Sequence, residues 1–320
     1  MSRELLILRH GKSDWDAGTD DFHRPIKDRG KRSAQRIGTW LLKQRLVPDH
    51  VVSSPAERAI ETARKACKAM GLGADVIVEN PAIYLASRRE LVQVLNGCPS
   101  AACRVMIVGH NPGLEDLLQY LAGRRIPLPE DGKLLPTATL ARLGMPESWQ
   151  TLPSGCANMM DLVRPGSLPE KFPFPAPDGE ELRDRPAYYY TQSSVVPFRK
   201  TKHGIEILVV ASSKKKHLVV PKGIQDPGMS AEASAAKEAW EEAGAEGEVL
   251  DKALGRYVYD KWGAECTVTV YPMKVSRLVP EKEWEEQHRG RDWVSPEQAQ
   301  EKLKQKELVP MVQELVRRYG

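Results

Sequence analysis

The chain has 320 residues, of which 41% are hydrophobic and 28% charged, and its 47 basic against 43 acidic residues leave a net charge of only +4. That is the make-up of a soluble globular protein with room for two ordinary domains of about 150 residues, not of a disordered tail. So small a charge excess gives no case for nucleic acid as a partner, and no apolar run approaches the ~18 residues of a membrane span.

In chain order, Leu5–Leu8 is an uninterrupted apolar run that predicts a buried strand. Lys31–Arg45 predicts a helix with Ile37, Trp40, Leu41 and Leu42 on one stripe. His50–Ser53 predicts a short strand ending at a Ser-Ser-Pro turn, with a helix over Ala56–Met70. Val105–Val108 and Leu114–Leu121 repeat the strand-then-helix order, and Thr137–Leu143 and Met159–Val163 are expected to close the same sheet. Such alternation predicts an α/β class, a Rossmann-like three-layer α/β/α domain built on a parallel sheet. Pro165, Pro169, Pro173, Pro175, Pro177 and Pro186 then crowd one stretch, which reads as a semi-rigid linker without helix or sheet interior. Beyond it come predicted strands at Ser194–Phe198, Ile205–Ala211 and Leu218–Val220, and a helix at Ala231–Ala243. Strands at Gly255–Tyr259 and Cys266–Val275 follow, with a closing helix at Val309–Tyr319, a mixed α/β pattern. The expected division is residues 1–168, a linker over 169–187, and 188–320. Lys214-Lys215-Lys216 reads as a solvated hairpin turn.

Cys67, Cys98, Cys103, Cys156 and Cys266 lack metal-ligand spacing and read as free thiols. The N-terminus enters Leu5–Leu8 directly with no signal-peptide cleavage pattern, so a cytoplasmic location is expected.

Each half carries its own phosphate chemistry. In the first, Leu8-Arg9-His10-Gly11, Ser53-Ser54-Pro55-Ala56-Glu57-Arg58 and Val108-Gly109-His110-Asn111-Pro112-Gly113 each follow a predicted strand. Phosphoryl transfer needs several cations and an in-line nucleophile, and the carboxyl edge of a parallel sheet is where ligands bind. These motifs resemble the histidine phosphatase superfamily over Met1 to about Leu168, and within it the phosphohistidine phosphatases of the SixA type. The segment His23-Arg24-Pro25-Ile26 through Gly30 is similar to their Arg-Pro-Leu segment. The resemblance implies that His10 is a nucleophile passing through a phosphohistidine, with Arg9, Arg58 and His110 binding the phosphoryl oxygens and no metal required. Arg9 and Arg58 disfavour protonation of His10, whose reference pKa is about 6.5. No glutamate between Glu79 and Leu95 matches a general acid convincingly, Glu79 and Glu90 reading as surface carboxylates. Leaving groups that need no strong acid, a phosphoramidate or a phosphoanhydride, are therefore expected.

In the second half, Glu238, Glu241 and Glu242 fall at i, i+3 and i+4 of a helix, behind Pro221-Lys222-Gly223. Three crowded carboxylates suit Mg²⁺ or Mn²⁺. Gly223 through Ala245 resembles a Nudix box, and the likeness extends over about Tyr188–Tyr319. It implies an α/β/α sandwich with metal-ligating Glu238, Glu241 and Glu242, a loop shaped by Gly223, and hydrolysis of a nucleoside diphosphate linked to another group. Met229 and Lys237 depart from the box, where a glutamate and an arginine commonly pair. Losing both together is less damaging than stranding one charge. The water-activating base is left between Glu241 and the Glu281–Glu286 stretch. Lys222 is expected to bind phosphate with the Lys214–Lys216 run, and Tyr257, Tyr259, Lys261 and Trp262 either stack a base or pack the sheet.

The expected function is thus a bifunctional phosphohydrolase of small phosphoanhydrides, with a phosphohistidine protein a further partner. The alternative is a phosphohistidine phosphatase whose Nudix half only binds a nucleotide or inositol polyphosphate.

Overall fold

In the computed structural model, which describes residues 3–123, 126–212, 216–284 and 286–320, the chain divides into two compact units, Met1–Phe172 and Pro173–Gly320. The first unit runs β1 (Arg3–Arg9), α1 (Asp28–Lys43), β2 (His50–Ser53), α2 (Glu57–Ala69), β3 (Ile77–Glu79), α3 (Arg88–Asn96), β4 (Arg104–Gly109), α4 (Gly113–Ala122), β5 (Leu140–Met145) and β6 (Asn158–Val163). Its six-stranded sheet has the order β3-β2-β4-β1-β5-β6. The first four strands are parallel, and β5 and β6 join antiparallel.

Period-two alternation explains why β1 and β4 read as continuous apolar runs. Leu5, Ile7, Val105 and Ile107 point into one core layer with Leu91, Leu95, Leu114 and Leu118 of α3 and α4. Leu6, Leu8, Met106 and Val108 point into the other, with Ile37 and Leu41 of α1 and Ala59, Ala63 and Ala66 of α2. This is the expected three-layer α/β/α arrangement. Two short elements escaped the hydrophobic pattern. Strand β3 has a half-buried Ile77 beside exposed Val78 and Glu79. Helix α3 is held by a Ser87–Glu90 capping box and buries only Leu91 and Leu95. Strand β5 starts later than expected, because Ala138 takes a left-handed φ of 58° and its N–H donates to the carbonyls of Arg9 and His10.

The proline-dense stretch is not without sheet. Phe172–Ala176 (β7) and Gly179–Arg183 (β8) pair as a two-stranded ribbon. Each ribbon strand has one unpaired edge, and alternation of Phe172, Pro173, Phe174 and Pro175 suits prolines that donate nothing. The Arg183 guanidinium lies 3.3 Å from the centroid of Phe174.

The second unit adds β9 (Thr191–Thr201), β10 (Gly204–Ala211), β11 (Leu218–Val219), β12 (Lys222–Ile224), α5 (Ala231–Ala243), β13 (Ala245–Val249), β14 (Gly255–Lys261), β15 (Ala264–Leu278), β16 (Arg291–Val294), α6 (Pro296–Lys302) and α7 (Val309–Tyr319). The sheet path is β11-β10-β9-β15-β13, with β12 on β9, β14 on β15 and β16 on β10. Ala235, Ala239 and Ala243 of α5 cover one face with Val195, Leu208 and Tyr271. Met311, Val312 and Leu315 of α7 and Ala299 of α6 cover the other with Val196, Phe198 and Val270. The result is an α/β/α sandwich. Lys214 and Lys215 lie outside the described residues, between the paired strands β10 and β11, and Lys216 is exposed.

Helix α1 crosses α2 at Gly38, where an added Cβ would sit 2.2 Å from the carbonyl oxygen of Ala66. Backbone cannot yield there as a flexible side chain could. Gly38→Ala should therefore destabilise the first unit by about 2 kcal/mol or more, read as a lower urea midpoint. An unchanged midpoint would contradict this packing.

Candidate functional site

In the first unit, Arg9, His10, Arg58 and His110 line one cavity of about 300 Å³. His10 continues β1 and its N–H donates to Gly109 O at 3.1 Å, while Ser54 continues β2 and donates to Val108 O at 3.0 Å. His110 follows β4, with its Nε2 2.9 Å from Ser54 Oγ. The two imidazole centroids are 5.2 Å apart. His10 Nδ1 is 2.8 Å from Gly11 O, an atom that can only accept, so Nδ1 carries the hydrogen and Nε2 the lone pair. Gly11 N in turn donates to Thr62 Oγ1.

Burial, assisted by Arg58 and Arg9, depresses His10 to about 4. Burial, then His10 and Arg58, depresses His110 to about 3. Both rings are neutral at pH 7. The buried Nε of Arg9, Arg24 and Arg58 and Nδ1 of His110 lack hydrogen-bond partners. Unpaired buried donors around a cavity are what an anion satisfies.

Asp21, Arg24 and Tyr84 were missed by sequence reasoning, which read Arg24 only as part of a segment. Asp21 accepts from Arg58 Nη2 at 2.8 Å, from Arg24 Nη2 at 2.7 Å and from Tyr84 O–H at 2.9 Å. Burial pushes the Asp21 carboxyl up, but Tyr84 and Arg58 outweigh it and hold it below its ordinary value. Neither Glu79 nor Glu90 lines this cavity. Glu79 lies 3.7 Å from Arg64, and Glu90 caps α3.

In the second unit, Gly223 faces Glu238 so closely that a Cβ would lie 1.9 Å from its Oε1. Gly223 lies in strand β12 and not in the expected loop, where a side chain would press on the Glu238 carboxylate. Glu238 is pushed up to about 7 by burial and by the neighbouring Glu242 and Glu241 charges. Burial also raises Glu242 despite Arg289 at 2.9 Å and the Lys222 N–H at 3.1 Å. The donor set thus calls for a cation, but among the described residues no three such side chains are gathered as a metal cluster. Glu286 pairs with Arg289 at 2.8 Å, and Glu285 lies outside the described residues.

Lys237 does not stand alone: its Nζ is 2.8 Å from Asp226, three residues before Met229, and 3.5 Å from Glu241. A shifted acidic partner in the same loop was the signal that sequence reading passed over. Lys222 points its Nζ at Tyr259 O–H (2.6 Å) and Gln192 Oε1 (3.1 Å), and burial pushes it down to about 8. Tyr257 is core, and Trp262 meets Tyr189 edge-on.

Residues 5–80 match the histidine phosphatase superfamily (branch 1), and residues 190–315 match the NUDIX domain. An uncharacterized Mycobacterium tuberculosis protein is 27% identical over 162 residues, 48% of this chain and 96% of its own. A Nakamurella multipartitia structure assigned as phosphohistidine phosphatase SixA is similar with a TM-score of 0.45 and 23% identity, covering 52% of this chain and 97% of that one. A C. elegans Ap4A hydrolase is similar with a TM-score of 0.34 and 22% identity over 39% of this chain and 95% of its own.

Because His10 and His110 are depressed in the fold, the unfolded chain binds more protons between about pH 6.5 and their folded values. The stability of the first unit is therefore full above pH 6.5 and falls as pH drops through that window. Urea midpoints at pH 7 and 5 should show the loss, and His110→Asn should shrink it. An equal loss in the variant would contradict the assignment.

Proposed function

We propose that this chain, which joins a histidine phosphatase domain to a NUDIX domain, both of hydrolase families, is a bifunctional phosphohydrolase with a separate site in each half. The observation that carries the first half is the gathering of Arg9, His10, Arg58 and His110 around one cavity with His10 Nδ1 already engaged. The lone pair of His10 Nε2 attacks phosphorus, and the bond to the leaving group breaks with its electron pair departing on that group. Arg9 and Arg58 balance the charge on the phosphoryl oxygens, and the neutral His110 contributes a hydrogen bond to them. Water then attacks the phosphohistidine, its P–N bond breaks, inorganic phosphate departs and the imidazole is restored. Asp21 is the one carboxylate lining the cavity among the described residues, and its contacts keep it ionised. It is a poor proton donor, which favours phosphoramidate or phosphoanhydride leaving groups over alcohols.

In the second half Glu238, Glu241 and Glu242 would hold Mg²⁺ or Mn²⁺, which supplies polarisation of a pyrophosphate and of the attacking water. The crowding that lifts Glu238 supports this. Asp226 and Lys237 brace the same helix face. Glu286 pairs with Arg289, and this reading takes Glu241 as the base. The rival reading, a half that only binds a nucleotide or inositol polyphosphate, draws on Glu242 being held by Arg289 and the Lys222 N–H.

His10→Ala should lower metal-free phosphate release from phosphoramidate by about 10³-fold or more while leaving Mg²⁺-dependent pyrophosphate cleavage within about twofold. The double replacement Glu241→Gln/Glu242→Gln should do the reverse. Loss of both activities in either variant would contradict separate sites, and a wild-type chain without Mg²⁺-dependent cleavage would favour the rival.

A further inference from the structure

Beside the histidine cavity lies a second depression of about 910 Å³, lined among others by Lys12, Arg29, Arg32, Arg36, Arg164 and Thr139. Lys12 and Thr137 line both, so the two spaces adjoin. Arg29, Arg32, Ser33 and Arg36 fall at i, i+3, i+4 and i+7 and make one face of α1. Among the described residues, five cations meet a single carboxylate, Glu170, around this groove.

A basic helix face is ordinarily just solvated. Two features here go further. The Thr139 side chain is fully buried and its Oγ1 has no hydrogen-bond partner, and the Nε of Arg36 is buried and unpartnered as well. The cations are also partly fixed in place: Arg32 Nη2 donates to Glu170 O at 3.2 Å, Arg36 Nη2 donates to Leu168 O, and Arg164 pairs with Asp131 at 2.8 Å. Guanidinium forks match phosphate oxygens better than a single ammonium does. Among the described residues no aromatic side chain lines the groove, so a nucleobase finds no aromatic platform there.

We infer that the groove is a subsite for a second phosphate of the substrate, so that the histidine half takes small molecules carrying at least one phosphate beyond the one transferred. This rests on the phosphatase reading of the neighbouring cavity. One terminal phosphoryl sits at His10, and the remaining anionic chain passes Lys12 to reach Arg29, Arg32 and Arg36.

The test uses the full chain in chelator, so that only the metal-free half acts, with phosphoramidate and inorganic tripolyphosphate as probes. Arg29→Ala/Arg32→Ala should raise KM for tripolyphosphate about tenfold and so lower its preference over phosphoramidate by the same factor. Arg88→Ala/Arg89→Ala, on α3 across the sheet, removes equal charge and should leave that preference alone. An equal loss on both probes, or the same loss in the α3 variant, overturns the subsite. So does a phosphohistidine peptide being the one substrate that senses Arg29 and Arg32. Calorimetric binding of tripolyphosphate to His10→Asn separates the two layers of the argument. If the wild type turns over neither probe, the phosphatase reading fails. Binding that still weakens about tenfold on loss of Arg29 and Arg32 then supports the anion subsite by itself, and unchanged binding overturns it.

Discussion

Parallel pairing of β1 with β4, and of β4 with β2, brings three loop starts to one sheet edge. Arg9 sits opposite Gly109, and Ser53 opposite Val108, so that His10, Ser54 and His110 leave their strands side by side. A slip of one residue would turn Leu5 and Ile7 into the layer now filled by Leu6 and Leu8. Both faces of this sheet are packed, so the register is held from two sides. The placement of the imidazoles is a consequence of core packing before it is one of chemistry.

The two halves solve opposite electrostatic problems. The first surrounds an anion's place with guanidinium groups, and burial, assisted by those charges, keeps both histidines unprotonated. A nucleophilic imidazole among cations is thereby available at neutral pH. The second crowds carboxylates along α5 and pushes Glu238 up to about 7. One site calls for a substrate's negative charge and the other for a cation, which fits separate reactions on one chain.

Much of this was legible in the residues. The apolar runs of β1 and β4, the stripes of α1 and α4 and the alanine spacing of α5 carry strong periodicity, because each faces a deep core, although Leu42, expected on the α1 stripe, is exposed. Elements that bury few apolar side chains were not legible: β3, α3, β13, β16 and α6 carry little periodicity of their own. Proline density misled at Phe172–Ala176, since a two-stranded ribbon tolerates missing donors. At the site, Arg9, His10, Arg58 and His110 announced themselves by position after strands. Asp21 and Tyr84 come from loops with no periodicity, and their link to Arg58 exists only in three dimensions. Asp226 likewise takes up Lys237 from a position displaced along the loop, which no fixed spacing would reveal.

Everything proposed for the first half depends on His10 Nε2 receiving the phosphoryl group. The direct measurement is rapid alkaline quench during turnover of phosphoramidate, followed by peptide mass spectrometry. The expected result is a phosphate adduct on the peptide carrying His10, stable in base, lost in acid and absent from His10→Ala. Turnover with no adduct, or with the adduct on another residue, would contradict it.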